Sequence, residues 1–213
     1  MTMKTDDLIR ALAKDGKSSW RVGNLLTIAL LAAVSVSVAA FFIEMGVRPD
    51  IATAVYNPFF DLKFAITMSL ALSAVALSVH LSRPEATLRG VVLILAVPGS
   101  LLAGGIAAEM MMPQRVAWMT RLVGGNSKIC LTAIPILSTP FLAAALVALR
   151  HGAPARPALT GAFAGLLSAG LAATLYASHC TDDSPLFVAT WYTLATALVV
   201  AIGALAGSRV LRY

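Results

Sequence analysis

The chain has 213 residues, of which 59% are hydrophobic and 12% are charged, and its net charge is +6. Soluble domains carry roughly 25% charged residues, so this composition excludes a water-soluble globule and predicts a membrane protein. The basic residues lie mostly at the ends of apolar stretches, which favours membrane orientation over direct nucleic-acid binding as the reason for the positive charge.

The first 23 residues form a polar segment before any apolar stretch begins. Thr5 can cap a short helix there and Gly16 can end it, with an apolar stripe on one side and charges on the other. About ten residues are too few for a stable isolated helix. We therefore expect this amphipathic helix to lie on the membrane, to pack on the rest of the protein or to bind a partner. Its candidate partner-binding residues are Asp6, Asp7, Leu8, Ile9, Arg10 and Leu12.

Six apolar stretches follow, each close to the 20 residues that span a bilayer as a helix. Helix is the expected spanning form, because backbone polar groups in lipid must be satisfied within each segment. The sequence predicts an all-α membrane protein. Residues 24–213 would form a bundle of six transmembrane helices, behind a short amphipathic cytoplasmic N-terminal helix in residues 1–23. The predicted spans are 24–43, 62–81, 90–108, 130–149, 158–178 and 187–206.

The distribution of positive charge predicts the orientation. Eleven of the sixteen Lys and Arg residues lie on the side of the two chain ends, although the connection between spans three and four carries three on the other side. The positive-inside rule places both termini in the cytoplasm. Cys130 opens the fourth predicted span and Cys180 closes the fifth, so both would lie at the outer, periplasm-like boundary. Disulfides can persist in that compartment.

The interiors of the spans carry few chemical groups. No Asp, Glu, Lys, Arg or His lies near the middle of any predicted span, which counts against a pump or a coupled transporter. A small transporter or channel remains an alternative through its serine positions, and a membrane thiol oxidoreductase is disfavoured because there is no C-x-x-C motif. We expect no catalytic residues. Four charges at the outer span ends are interpreted as interfacial: Glu44, Asp61, Lys63 and Glu109.

Two G-x-x-x-G patterns predict close helix packing. They run from Gly161 to Gly165 in the fifth span and from Gly203 to Gly207 in the sixth. Glycines at this spacing let two backbones approach closely in a membrane. The pattern indicates a packed bundle and no particular function.

The stretch HCTDDSPLFVATWY, residues 179–192, places one of the two cysteines beside a histidine and two carboxylates. Two lone cysteines suggest either a single disulfide, which requires close Cα atoms, or a shared ligand site. Candidate metal ligands are Cys130, Cys180, His179, Asp182 and Asp183, since thiolate with imidazole suits soft or borderline metals. The alternatives stay open: Cys180 would be an ordinary buried cysteine, and Ser184-Pro185 would simply cap and start the last helix.

Several motifs together resemble the NrsF family of bacterial membrane-bound anti-sigma factors. The resemblance covers nearly the whole chain. The matching stretches are MKTDDLI (3–9), RPD (48–50), LSRP (81–84), CL (130–131), IP (134–135), LRHGAP (149–154) and HCTDDSPLF (179–187).

The resemblance implies a regulator with six transmembrane helices. Such a protein would hold a cytoplasmic extracytoplasmic-function sigma factor at the inner membrane and release it on heavy-metal or oxidative stress. Cys130 and Cys180 match the family's paired cysteines, which are implicated in sensing. The N-terminal segment would contact the sigma factor. No cofactor would be required, and a heavy-metal ion could bind transiently at the cysteine pair.

Overall fold

The computed structural model describes residues 22–83, 86–87, 89–113 and 116–212, and its described elements are all helical. Within these residues six helices are long and apolar enough to cross a membrane, which confirms the predicted all-α membrane fold. The amphipathic helix expected before residue 22 lies outside the described residues. The main helices are α1 Val22–Glu44, α2 Pro58–Leu81, α3 Ala96–Met111, α4 Ser127–Leu149, α5 Pro157–Ala177 and α6 Pro185–Val210.

Short elements adjust the ends of these helices. A one-turn helix, Ile51–Ala54, lies between α1 and α2, and the six-residue helix Trp118–Val123 lies between α3 and α4. The 3₁₀ segment Val91–Leu95 leads into α3. Inside α6, residues Val188–Tyr192 form a π-helical turn, a wider turn that is often found at functional sites.

Local sequence explains where the spanning helices begin. The Asn57 side chain caps α2 by accepting from the Phe59 amide at 3.1 Å, and Pro58 follows it. In the same way Ser184 caps α6 by accepting from the Leu186 amide at 3.2 Å. Proline suits the first helical position because its missing N–H would have no partner there. The predicted Ser184-Pro185 start is therefore confirmed.

Helix α5 occupies the centre of the bundle, packing against α2, α4 and α6. Helix α1 packs mainly on α4, and α3 mainly on α2. Many large apolar side chains of α1 and α3, such as Leu31 and Val97, remain exposed outside the packed core. These faces suit contact with lipid.

The two G-x-x-x-G patterns meet each other between α5 and α6. A methyl group built on Gly161 would meet the Gly203 carbonyl oxygen, and one built on Gly165 would lie 2.6 Å from the Val199 carbonyl oxygen. Backbone therefore contacts backbone along this seam, as the glycine spacing predicts.

The connections alternate between the two ends of the bundle. We call the end formed by the α1–α2, α3–α4 and α5–α6 connections the cysteine end. The opposite end, with the α2–α3 and α4–α5 connections, is called the terminal end. There, the Ser82 carbonyl accepts from the Ala153 amide at 3.1 Å, which joins the two connections.

Candidate functional site

The structure brings the two cysteines into one buried cluster at the cysteine end. Cys130 lies in the first turn of α4, where its amide donates to the Asn126 carbonyl at 2.8 Å. Cys180 follows α5, and its amide donates to the Tyr176 carbonyl at 3.0 Å. Both are free thiols and fully buried. Both belong to the same buried apolar cluster.

Aromatic rings enclose this cluster. The ring centroids of Tyr176 and Tyr192 lie 5.7 Å apart, and Phe187 meets Tyr192 edge-on at 6.2 Å. Neither tyrosine hydroxyl has a hydrogen-bond partner of standard geometry, although both are buried. Both lie close enough to the Cys180 thiol for the groups to influence each other.

The protonation of Cys180 is set first by its burial. Burial raises the pKa of the Cys180 thiol, and the smaller opposing influences of the Lys63 ammonium and of a hydrogen bond with the Asp182 backbone do not cancel that effect. The thiol is therefore protonated at neutral pH. Because the thiolate is the reactive form, the resting site is poorly reactive until it opens or loses the proton.

A buried charge cluster holds the backbone of Cys180. Lys63 lies one turn into α2, and its ammonium contacts Asp183 Oδ1 at 2.7 Å and the Cys180 carbonyl at 2.9 Å. The Arg48 guanidinium contacts the same carboxylate at 2.9 Å and the same carbonyl at 3.2 Å. The exposed fractions of the side chains are 0% for Lys63, 5% for Arg48 and 11% for Asp183. We interpreted Lys63 as interfacial, but its ammonium is enclosed.

Asp50 balances the remaining charge of this cluster. Its carboxylate forms a bidentate pair with Arg48 at 2.7 and 2.8 Å. This pairing lowers the pKa of Asp50 and raises that of Arg48 above its ordinary value. Two cations and two carboxylates thus face one another, and buried charges are tolerated in proteins when they are paired in this way.

The other polar residues of the 179–183 stretch also have partners. Asp182 accepts from the backbone amides of Gly125 at 3.1 Å and Asn126 at 2.8 Å, which ties the α5–α6 connection to the start of α4. His179 Nδ1 donates to the Gly46 carbonyl at 2.9 Å. Within the described residues no three His, Cys, Asp or Glu side chains form a group that could hold a metal ion. A metal at the cysteine pair stays a prediction.

A second ion pair supports the start of α6. Arg121 contacts Glu109 at 2.6 Å, and the Ser184 hydroxyl donates to the same carboxylate at 2.7 Å. Glu109 is buried, so this charge, which we also interpreted as interfacial, is enclosed like Lys63. Every connection at the cysteine end therefore contacts residues 178–186.

Sequence reasoning identified the cysteines but missed the cations that hold Cys180. A signal for Lys63 existed in its position, since a charge between apolar residues of a spanning helix must find a partner inside the bundle. Arg48 belongs to the RPD motif, but the sequence does not indicate that its partner is Asp183, 135 residues away.

Comparisons with known proteins cover almost the full chain. Residues 12–213 match the family model NrsF, described as "Negative regulator of sigma F". The chain is 36% identical to the anti-sigma-F factor NrsF of Caulobacter vibrioides (strain NA1000 / CB15N), over 99% of this chain and 100% of that protein. It is 32% identical to the probable anti-sigma-F factor NrsF of Azospira oryzae (strain ATCC BAA-33 / DSM 13638 / PS), with the same coverage. No solved structure matches the chain significantly.

Proposed function

This chain belongs to the NrsF family, and from that membership we propose that it is a membrane-bound anti-sigma factor. The observation that carries the proposal is the full-length match to two relatives named as anti-sigma-F factors. Six spanning helices with no sizeable soluble domain among the described residues suit a regulator that keeps its partner at a membrane. The family is regulatory, so we expect no catalytic residues.

The finer proposal concerns partner and place. The partner is an extracytoplasmic-function sigma factor, held in the cytoplasm by a protein of the inner membrane with both termini inside. The charge distribution supports this orientation, because the excess of Lys and Arg lies on the side of the chain ends. The contacting element is the segment 1–21, with Asp6 to Leu12 at its centre; this segment lies outside the described residues.

Heavy-metal or oxidative stress would be sensed at Cys130 and Cys180. Their shared burial at the cysteine end supports this role, since a disulfide or a bound ion would act on two helices at once. The 178–186 connection is tied to every other connection at that end. A change at Cys180 would therefore disturb the hydrogen bonds that Arg48 and Lys63 make to its carbonyl.

Helix α2 offers a route from that change to the opposite side. Lys63 lies at its cysteine end, and Ser82, just after its last residue, bonds the α4–α5 connection at the terminal end. Release of a partner requires that it bind two states of the bundle with different free energies. A shift of α2 relative to α5 would provide two such states.

Co-purification tests the partner. The full chain should retain a sigma factor in detergent extract, and deletion of residues 1–21 should abolish that retention. Since deletion could also reduce membrane insertion, the amount of protein in the membrane fraction is the control. Undiminished retention by the truncated chain would remove the segment from the mechanism.

A sigma-dependent reporter tests the sensor. Cys130→Ser and Cys180→Ser, singly and together, should abolish induction by cadmium or an oxidant to the same extent, because the pair acts as one unit. Unaltered induction in all three variants would refute sensing by cysteine.

A further inference from the structure

The terminal end of the bundle presents a basic surface. Within the described residues, every acidic side chain lies at the other end, the cysteine end: Glu44, Asp50, Asp61, Glu109, Asp182 and Asp183. Exposed arginines lie at the terminal end: Arg83, Arg89, Arg150, Arg156, Arg209 and Arg212. None of these guanidinium groups forms an ion pair with a described residue. The terminal end therefore offers charged donors that the described part of the bundle does not use.

Membrane orientation explains the sign of this surface but not the choice of side chain. The positive-inside rule counts Lys and Arg alike, yet both described lysines, Lys63 and Lys128, lie at the cysteine end. Arginine carries a planar fork of donors that matches a phosphate or a carboxylate with two hydrogen bonds, whereas lysine offers a point charge. The use of arginine alone favours recognition of such an anion.

Two of these arginines line one groove between the start of α5 and the end of α6. The groove has a volume of about 270 Å³ and is lined by Arg156, Pro157, Ala158, Leu159, Ser208 and Arg212. The two helices meet closely beside it, since a methyl group built on Gly207 would lie 2.7 Å from the Pro157 carbonyl oxygen. The Ser208 hydroxyl already donates to the Leu205 carbonyl at 2.7 Å. Among the lining side chains, the two guanidinium groups are thus the donors left for a ligand.

An exposed apolar stripe of α6 leads into this groove. Leu198, Ile202 and Leu205 are spaced by four and three residues, so they lie on one face of the helix. Each of the three is exposed on the bundle, as suits contact with lipid. Ser208 follows Leu205 by three residues and continues that face to the groove. The groove is therefore continuous with the lipid-facing surface and places positive charge at the end of an apolar track.

We propose that this groove binds the phosphate of an anionic phospholipid, with Arg156 and Arg212 as hydrogen-bond donors and an acyl chain along the stripe of α6. Basic pockets between transmembrane helices bind anionic lipid headgroups. A zwitterionic phosphatidylcholine would bring its choline cation towards two guanidinium groups, so the net negative charge decides the preference. An acidic segment of a protein would supply the charge but no chain for the stripe. The inference goes beyond the proposed anti-sigma role and does not depend on it.

The test uses the purified and delipidated full chain in nonionic detergent. Phosphatidylglycerol with a fluorescent acyl chain is titrated onto the protein, and phosphatidylcholine with the same chain is the reference. Phosphatidylglycerol should bind more tightly. Arg156→Gln and Arg212→Gln should each weaken its binding roughly fivefold, and the double variant should bind the two lipids equally.

Two other arginines of the same end provide matched controls. Arg83→Gln and Arg89→Gln remove the same charge outside the groove, and they should bind phosphatidylglycerol like the unaltered chain. Arg156 and Arg212 are exposed, so without lipid their variants should unfold at the same temperature as the unaltered chain. That measurement separates weaker binding from loss of the fold.

Three results would overturn the inference. The double variant would still prefer phosphatidylglycerol, or Arg83→Gln would weaken binding as much as Arg156→Gln does, since the charge would then act diffusely. In the third, inorganic phosphate at the concentration of the lipid would displace it, which would assign the groove to a free phosphate.

Co-purification of a sigma factor separates this inference from the proposed function. If the double variant keeps its lipid preference but no longer retains the sigma factor, the groove binds the protein partner and the lipid site is refuted. If the unaltered chain retains no sigma factor while lipid binding depends on Arg156 and Arg212, the lipid site stands and the anti-sigma role is refuted.

Discussion

Replacing Asp183 by asparagine tests whether the buried charges hold the cysteine end together. The carboxylate neutralises Lys63 at 2.7 Å and shares Arg48 with Asp50. At an effective dielectric constant of 20, two unit charges at that separation attract by about 6 kcal/mol before the cost of desolvation. Asp183→Asn leaves Lys63 enclosed with only neutral acceptors among its hydrogen-bond partners, so we expect a loss of about 3–5 kcal/mol in the free energy of unfolding.

Variants of Lys63, the partner of Asp183, test whether the loss of stability comes from the ion pair. Lys63→Met should cost about 3 kcal/mol, the lower end of that range, because Arg48 still pairs with Asp183. The double variant Lys63→Met/Asp183→Leu should cost much less than the sum, since replacing a buried pair by apolar residues is often neutral. Asp61→Asn is the matched control: Asp61 is exposed in the first turn of the same helix, and its loss should cost less than about 1 kcal/mol.

The assay is unfolding by added SDS in nonionic micelles, followed by tryptophan fluorescence. Trp191 reports on this end of the bundle, because its indole donates to the Leu122 carbonyl at 2.9 Å. The reasoning is refuted if Asp183→Asn costs no more than Asp61→Asn, or if the double variant loses the full sum of the single losses.

Three further predictions concern the seam, the thiol and the connection after α3. Gly161→Leu should lower the yield of folded protein sharply, because the leucine side chain would meet the backbone of α6. Gly99→Leu is the control, since this glycine has open space around it. Equal yields of the two variants would contradict the close packing of α5 on α6. Burial raises the pKa of Cys180 above its ordinary value of 9.0, so the folded state holds a proton that the unfolded state loses and stability falls as pH rises beyond about 9. The free energy of unfolding should fall less steeply with pH in Cys180→Ser than in the unaltered chain, and an equal slope would contradict this prediction. Asp182→Ala should speed alkylation of Cys130 by a small thiol reagent, since the start of α4 loses hydrogen bonds to that carboxylate; rates like those of the unaltered chain would contradict this.

The spans and the glycine seam could be predicted because they follow from local rules. A run of about 20 apolar residues has few alternatives to a spanning helix, and glycines four residues apart mark one face. The caps of α2 and α6 are equally local, since Asn57 and Ser184 act on amides two residues later.

The charge cluster could not be predicted because its parts are distant in sequence. The partners of Asp183 lie in the α1–α2 connection and in α2, more than 100 residues earlier. Only the packing of α2 against α5 brings them together. The tyrosines were missed for a related reason: the burial of Tyr192 depends on the turn of α6.

The π-helical turn Val188–Tyr192 rotates the residues before it in α6 relative to the residues after it. One residue turns an α-helix by about 100°, and a π turn absorbs such an extra residue without breaking the rod. After the turn, Gly203 and Gly207 fix how α6 faces α5. Before it, Phe187 lies in the same buried cluster as the two cysteines. Removing one residue from the turn would preserve the glycine seam and rotate the aromatic wall away. The orientation of the aromatic side chains at the start of α6 is therefore set separately from the glycine seam. A single insertion or deletion in the turn would change that orientation without rebuilding the bundle.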